Sequence, residues 1–377
     1  MKKIDKSSVH QAGLKRKETG SLQSLWIETP GYCNLACPYC FASAGEGLKR
    51  DELLSREDYL RLLDEAQSMG VDSIGIPGAG EPFVPANMEL TMWLLHECAK
   101  RGMYVTLFTT GQFITEELAS KLFELPVEIM LKGNTLDADL QDKFVSDPSR
   151  GREIHGYGEA RNRAIEVLIA AGFNDKASCM ALYNRKSRLA LVTSIMTDEN
   201  SLSNLGEIVD LLHFCRQRNI MLDCDSVLTR GRGKTCKLHT SEEKYRSKLI
   251  ELQEIDRDQY GFEWEVSQGY IDSVCDRYMH HLYCDQYGVI HPCVGAMDIN
   301  LGNIKRSSLA EAWGSAEMSI IRSRCYGGVC GTQCQNFADG KCNSCLGRRA
   351  VELSNENLRE KGFVDTIGCW NFRPKAE

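Results

Sequence analysis

The stretch CNLACPYC places Cys33, Cys37 and Cys40 on one short segment, with three and then two residues between them. No fourth ligand stands nearby, because the nearest histidines are His10 and His96. A structural zinc site closes its tetrahedron with four protein ligands, whereas a catalytic metal site keeps one position open. Three thiolates on a 4Fe-4S cluster leave one iron without a protein ligand, and a small molecule can bind there. Spacing alone leaves a zinc site or half of a ferredoxin as alternatives, although a bacterial ferredoxin shows a tighter run of four cysteines.

The chain has 17 cysteines, a high count. Its first residues, MKKIDKSSVHQAGLKRKETG, are basic and polar and lack the apolar core of an export signal. A disulfide scaffold then lacks its oxidising compartment, and metal binding becomes the first explanation. Nine of the cysteines, Cys275, Cys284, Cys293, Cys325, Cys330, Cys334, Cys342, Cys345 and Cys369, lie in the last part of the chain. Cys98 and Cys215 sit at helical spacing from Leu94 and Leu212 and read as small buried hydrophobes.

These ligands need elements to hold them. At 377 residues and 42% apolar composition, the chain can bury one large core and a smaller one. Short β-rich runs start at Ser24, Ser73, Tyr104, Val127, Leu189 and Ile220, with amphipathic helical stretches between them. One helix is opened by Ser55 and ended by Gly70; another carries Leu205, Ile208, Leu212 and Cys215 on one face. Thr240 and Glu243 form a candidate capping box for the last helix. Six such units predict an α/β fold with a parallel sheet curled into a partial (β/α)6 barrel, its chemistry at the C-terminal ends of the strands. From about Asp258 the periodicity weakens and the cysteines gather, which suits a region folded around metal. The expected organisation is a flexible basic tail over 1–20, the barrel over 21–257 and a cysteine-rich auxiliary-cluster domain over 258–377. A net charge of -7 with scattered basic residues excludes a large nucleic-acid footprint. No run approaches the ~20 apolar residues of a membrane span. A soluble, cytoplasmic protein is expected.

The cysteine loop follows the first strand of a β/α repeat and carries aromatic Tyr39 just before its third cysteine. In both respects it resembles the radical S-adenosylmethionine (radical SAM) enzymes. The resemblance implies a 4Fe-4S cluster on Cys33, Cys37 and Cys40. Its open iron is chelated by the amino and carboxylate groups of SAM, and cleavage of SAM gives a 5'-deoxyadenosyl radical that abstracts a substrate hydrogen. The segment GAGEP, comprising Gly78, Ala79, Gly80, Glu81 and Pro82, resembles the glycine-rich stretch that holds the SAM amino group. Glycine lets the backbone approach a ligand, and the Glu81 carboxylate suits an ammonium. The resemblance also makes Thr109, Thr135, Arg150, Ser194 and Asn200 candidate SAM contacts; strand-end polar groups that satisfy backbone are the plain alternative for all five.

Twelve residues separate Cys275 from Gly288, and Gly288 stands five residues before Cys293. This arrangement, with LGNIKRSSLAEAW following, resembles the SPASM extension of radical SAM enzymes, which carries up to two auxiliary 4Fe-4S clusters. The resemblance assigns Cys275, Cys284 and Cys293 to the first auxiliary cluster with one later cysteine, and draws the second from Cys325 to Cys369. The order departs from the family, because Cys330 and Cys334 (CxxxC) precede Cys342 and Cys345 (CxxC).

An auxiliary cluster can take an electron from a substrate radical. The leading expectation is therefore a SAM-consuming two-electron oxidation of a small alcohol or aminocyclitol, supplied by an external flavodoxin- or ferredoxin-type electron donor. One alternative is an epimerase with Cys224 or Cys236 as hydrogen donor, a buried strand cysteine being the plain reading of Cys224. Others are a maturase of ribosomally made peptides or sulfatases, and an electron-transfer or iron-sensing protein without turnover.

Overall fold

Runs rich in β-branched and aromatic residues become strands wherever a helix can cover one face and a shared interior the other. The structure, a computed structural model, describes residues 2–3, 20–198, 202–228, 230–264, 266, 277–323 and 334–339. All six expected strands form: β1 (Ser24–Ile27), β2 (Ser73–Ile76), β3 (Tyr104–Thr109), β4 (Val127–Lys132), β5 (Leu189–Ile195) and β6 (Met221–Ser226). Each pairs in parallel with the next, so Leu25, Ile74 and Val105 lie in register. The sheet does not close. Beyond β1 it continues with β7 (His281–Cys284), parallel to β1, and β8 (Ile290–His291), antiparallel to β7. The cysteine-rich region thus contributes two strands to the barrel sheet.

Helices cover the outer face, among them α1 (Arg56–Ser68), α2 (Pro85–Lys100), α3 (Glu116–Phe123), α4 (Ala138–Phe144), α5 (Tyr157–Ala170), α6 (Lys176–Tyr183), α7 (Glu207–Gln217) and α8 (Glu242–Ile255). Ser55 caps α1 in a reciprocal box with Asp58, satisfying two backbone donors. The cap of α8 is Ser241, which accepts from the Lys244 amide, and not the expected Thr240. Thr240 instead donates to the Ile195 carbonyl at 2.9 Å, tying the loop to the end of β5. Cys98 and Cys215 are buried in the helix-to-sheet core, as their spacing predicts.

The inner face of the sheet is apolar at depth. Met130, Ala190 and Val192 form a cluster with Phe108 against it. Trp26 also turns inward and meets Phe108 with ring centroids 5.3 Å apart. A Cβ on Gly75 would come within 2.1 Å of the Trp26 ring, so the glycine in β2 makes room for the indole. Residues 2–3 pair with Phe262–Glu263; the rest of the basic tail before Gly20 lies outside the described residues.

Candidate active site

At the C-terminal ends of the strands lies a cavity of about 230 Å³. Cys33, Cys37 and Cys40 all line it, as do Tyr39, Gly78, Gly80, Glu81, Thr109 and Ser194.

The cysteine loop is held by its main chain. The Glu81 amide donates to the Tyr32 carbonyl at 2.8 Å, and the Ala36 amide to the Val145 carbonyl at 3.0 Å. From the C-terminal region, Gln286 accepts from the Gly31 amide at 2.8 Å. Glu28, just after β1, accepts from the Tyr283 hydroxyl and, at 2.9 Å, from the Gln286 amide. Burial pushes the Glu28 carboxyl up to about 7, against those two hydrogen bonds. Among the thiols, Cys40 Sγ accepts from the Ala44 amide at 3.4 Å. Burial raises Cys33 to about 11 and Cys37 to about 12, with the neighbouring cysteines adding to the rise. Clustered buried thiols of this kind suit a metal group that takes them as thiolates. Among the described residues, no three His, Cys, Asp or Glu side chains form a group placed to hold a single metal ion.

GAGEP packs directly on that loop. A Cβ on Gly80 would stand 2.5 Å from the Pro30 carbonyl oxygen and 2.6 Å from that of Tyr32. Only glycine allows so close an approach. The Glu81 carboxylate is buried and accepts from the Thr109 hydroxyl at 2.6 Å, the Thr110 amide at 2.7 Å and the Phe83 amide at 3.2 Å. Burial raises its pKa against these donors. Glu81 and Thr109 therefore bind each other and join the turn after β2 to the end of β3. Ala79 is buried and Pro82 accepts from Thr91 Oγ1; neither lines the cavity.

The opposite wall comes from β4, β5 and β6. Lys132, at the end of β4, donates to Ser194 Oγ at 2.9 Å and stands 5.7 Å from the centre of the Tyr39 ring. Its pKa is lowered by burial. Asp223 and Asp225 line the same side, and Arg277 lies across from it over the Trp26 ring at 4.2 Å. Tyr39 is buried and accepts from Asn134 Nδ2 at 2.8 Å.

Other expected residues lie elsewhere. Thr135 accepts from the Asp137 amide at 3.0 Å and meets Glu207 at 3.2 Å, shaping the turn behind the cavity. Arg150 is half-exposed and pairs with Glu46 and Asp147, so it does not reach the cavity. Cys224 alternates with Asp223 and Asp225 on β6; because they face the cavity, its thiol turns into the helix-side core, fully buried. Cys236 packs beside Tyr39, Val227 and Leu238, and its sulfur accepts from the Leu238 amide at 3.3 Å. Neither thiol lines the cavity. Of the C-terminal cysteines, Cys284 and Cys334 are buried, and the Gly295 and Ala296 amides face the Cys293 sulfur. Asn200, Cys275, Cys325, Cys330, Cys342, Cys345 and Cys369 lie outside the described residues.

Lys132, Asp223 and Asp225 escape the sequence reading. The signal is there nonetheless: in a strand every second residue shares a face, so Met130 with Lys132, and Asp223 with Asp225, point one way.

A family model for the radical SAM superfamily matches residues 27–186, and one for an iron-sulfur cluster-binding domain of the SPASM type matches residues 275–346. Residues 27–186 thus carry a radical SAM domain and residues 275–346 a SPASM-type iron-sulfur cluster-binding domain. These two domains imply SAM and 4Fe-4S clusters as cofactors. Among curated relatives, GTP 3',8-cyclase of Pseudomonas syringae pv. syringae (strain B728a) is 28% identical over 192 residues, 50% of this chain and 48% of the relative. PqqA peptide cyclase of Granulibacter bethesdensis (strain ATCC BAA-1260 / CGDNIH1) is 28% identical over 149 residues, 39% and 37% of the two chains. The chain spans about half or less of the length of the curated relatives it matches. Of solved structures, Streptococcus suis SuiB bound to S-adenosylmethionine superposes with a TM-score of 0.66 at 18% identity, covering 96% of this chain and 80% of that one. The enzyme anSMEcpe with bound AdoMet and a peptide gives 0.57 at 16% identity, covering 84% and 86%. At such identities the likeness is one of fold. No helix among the described residues is long and apolar enough to cross a membrane.

Proposed function

We propose that this chain uses SAM to remove hydrogen from an amine- or hydroxyl-bearing substrate docked on the Lys132, Ser194, Asp223 and Asp225 wall, with net two-electron oxidation. The observation that carries the reading is a cavity bordered on one side by three thiols with Gly78, Gly80 and Glu81, and on the other by that wall. Ligand sites commonly pair an apolar floor with a few convergent polar groups, and Trp26, Phe108, Met130 and Val192 supply the floor. A small alcohol or aminocyclitol fits this description.

When bound, the cluster and SAM supply the chemistry: one electron in yields methionine and 5'-deoxyadenosine, and the substrate loses one hydrogen atom, then one proton and one electron. The chain's own residues position and exclude water. Cys33, Cys37 and Cys40 would hold the cluster and GAGEP would flank SAM; an Asp of the wall accepts the substrate proton; Cys284, Cys293 and their C-terminal companions would hold the group that takes the electron. A flavodoxin- or ferredoxin-type protein delivers the first electron.

Anaerobically reconstituted protein with SAM and dithionite is expected to form 5'-deoxyadenosine. Its absence under all conditions overturns the reading. The oxidation itself is tested by product mass, expected to be lower by two hydrogens; a product of unchanged mass excludes it. Peptide maturation is the second reading, supported by the peptide-bound structures among the fold neighbours. A Lys or Ser side chain of a peptide would present the same amine or hydroxyl to the wall.

A further inference from the structure

The turn that follows β6, residues 230–233, touches two loops far away in sequence. Arg232 Nε donates to the Cys37 carbonyl at 2.9 Å, and its Nη1 to the Ala44 carbonyl at 3.0 Å and to Glu46 Oε1 at 2.7 Å. The Arg232 amide donates to the Cys40 carbonyl at 2.9 Å. Gly231, at φ +51°, lies so close that a Cβ would stand 2.4 Å from the Phe41 carbonyl oxygen. Two residues before Arg232, Arg230 reaches the other way. Its Nε donates to the Gly295 carbonyl at 3.1 Å and its Nη1 to Asp298 Oδ1 at 2.7 Å, with Nη2 on the second carboxylate oxygen. One rigid turn thus holds the loop of Cys37 and Cys40 with one guanidinium and the loop of Cys293 with the other.

Planar guanidinium groups that make several charge-assisted hydrogen bonds fix direction as well as distance. Both side chains are largely shielded from water, with 9% and 20% exposure for Arg232 and Arg230. Val227 and Leu228, leading into the turn, line the cavity together with Val294 from the second loop. The brace therefore spans the roof over the site and not a remote surface.

We infer that Arg230 and Arg232 are paired positioning residues that lock the SAM-cluster loop and the Cys293 loop into one mechanical unit. Neither residue lines the cavity. Their work is to hold the two loops at a constant separation, so that a group held by Cys293 would stand at a fixed distance from the cavity where the substrate loses its electron. The electron-path part rests on the proposed ligand roles of Cys37, Cys40 and Cys293; the mechanical part does not.

Amide hydrogen exchange on the full chain tests the mechanical claim, and EPR-monitored redox titration of the reconstituted protein tests the electrical one. Arg230→Gln is expected to speed exchange across residues 37–46 as well as 293–298, and Arg232→Gln across both segments in turn, each by about tenfold or more for lost hydrogen bonds to a charged group. If each variant loosens only the loop it touches, the brace is overturned. Should either variant fail to fold, Asp298→Asn, at a half-exposed carboxylate, is expected to speed exchange in 37–46, and an effect confined to 293–298 overturns the claim equally. In the titration, loss of either cation disfavours a reduced cluster, so both the SAM-responsive and the SAM-insensitive signals should move to lower potential. Arg230→Lys keeps the charge without the fork; it should restore the potentials but not the exchange protection. Coupled exchange without two such signals retains the mechanical unit and overturns the ligand roles.

Discussion

The two walls of the cavity are built by different means. Around the cysteine loop and GAGEP, much of the contact is made through main-chain groups, which also receive Gln286 and Arg232 side chains, with glycines where a Cβ cannot fit and Glu81 consumed by Thr109, Thr110 and Phe83. Across the cavity, β4 to β6 present side chains, Lys132, Ser194, Asp223 and Asp225, from a regular strand scaffold. A main-chain wall tolerates little change and suits a cofactor that never varies. A side-chain wall can be rewritten residue by residue, which suits the part that meets the substrate.

The comparison is most easily broken at its cysteines. Cys37→Ala should abolish 5'-deoxyadenosine formation and lower the iron content by about four per chain; retained cleavage of SAM would detach the loop from the chemistry. Gly80→Ala comes next. Its new methyl meets two backbone oxygens, so an overpacking cost of roughly 1–3 kcal/mol is expected, visible as a lower denaturation temperature and weaker SAM binding by calorimetry. Lys132→Met tests the other wall: it should raise the substrate KM by about tenfold or more, since a hydrogen bond to a charged group contributes roughly 1.5–3 kcal/mol, while affecting SAM binding less than Gly80→Ala does. The reverse ranking would mean that the two walls do not divide the work.

A fourth prediction concerns pH. Glu28 is raised from 4.5 to about 7 by burial, so the folded state holds its proton more tightly than the unfolded one. Its contribution is then fully present below about 4.5 and is lost as pH rises through about 7, amounting to roughly 3 kcal/mol. Glu28→Gln should flatten the fall in denaturation temperature between about pH 5 and pH 8 relative to the parent; an equal fall in both would free Glu28 of this role. Smallest, Ser55→Ala should cost ~1 kcal/mol by loss of the α1 cap, with SAM cleavage kept.

All six barrel strands and the cysteine loop were legible because each is announced locally, by β-rich runs and by cysteines three and two residues apart. GAGEP was legible as a turn, but not that Glu81 would spend its carboxylate on β3. Arg150 was the natural cation to choose near the fourth strand, yet it lies on a surface turn beside Glu46 and Asp147, and Lys132 occupies the interior instead. Arg232 could not be found from sequence, since its partners lie 186 to 195 residues away. For the same reason nothing local announces that His281–Cys284 will pair with Ser24–Ile27. Cys224 shows how strand alternation decides a role: one step along β6 separates a cavity carboxylate from a core thiol.

That pairing of β7 with β1 has a consequence for handling the molecule in pieces. Every residue of β1 is buried, and β7 covers what would otherwise be an open sheet edge with a row of unsatisfied amides and carbonyls. A chain cut before β7 would expose that edge beside the cysteine loop, an invitation to edge-to-edge aggregation. The C-terminal region is therefore a cover the barrel depends on, and an expression strategy that trims it away should yield inclusion bodies in place of a minimal enzyme.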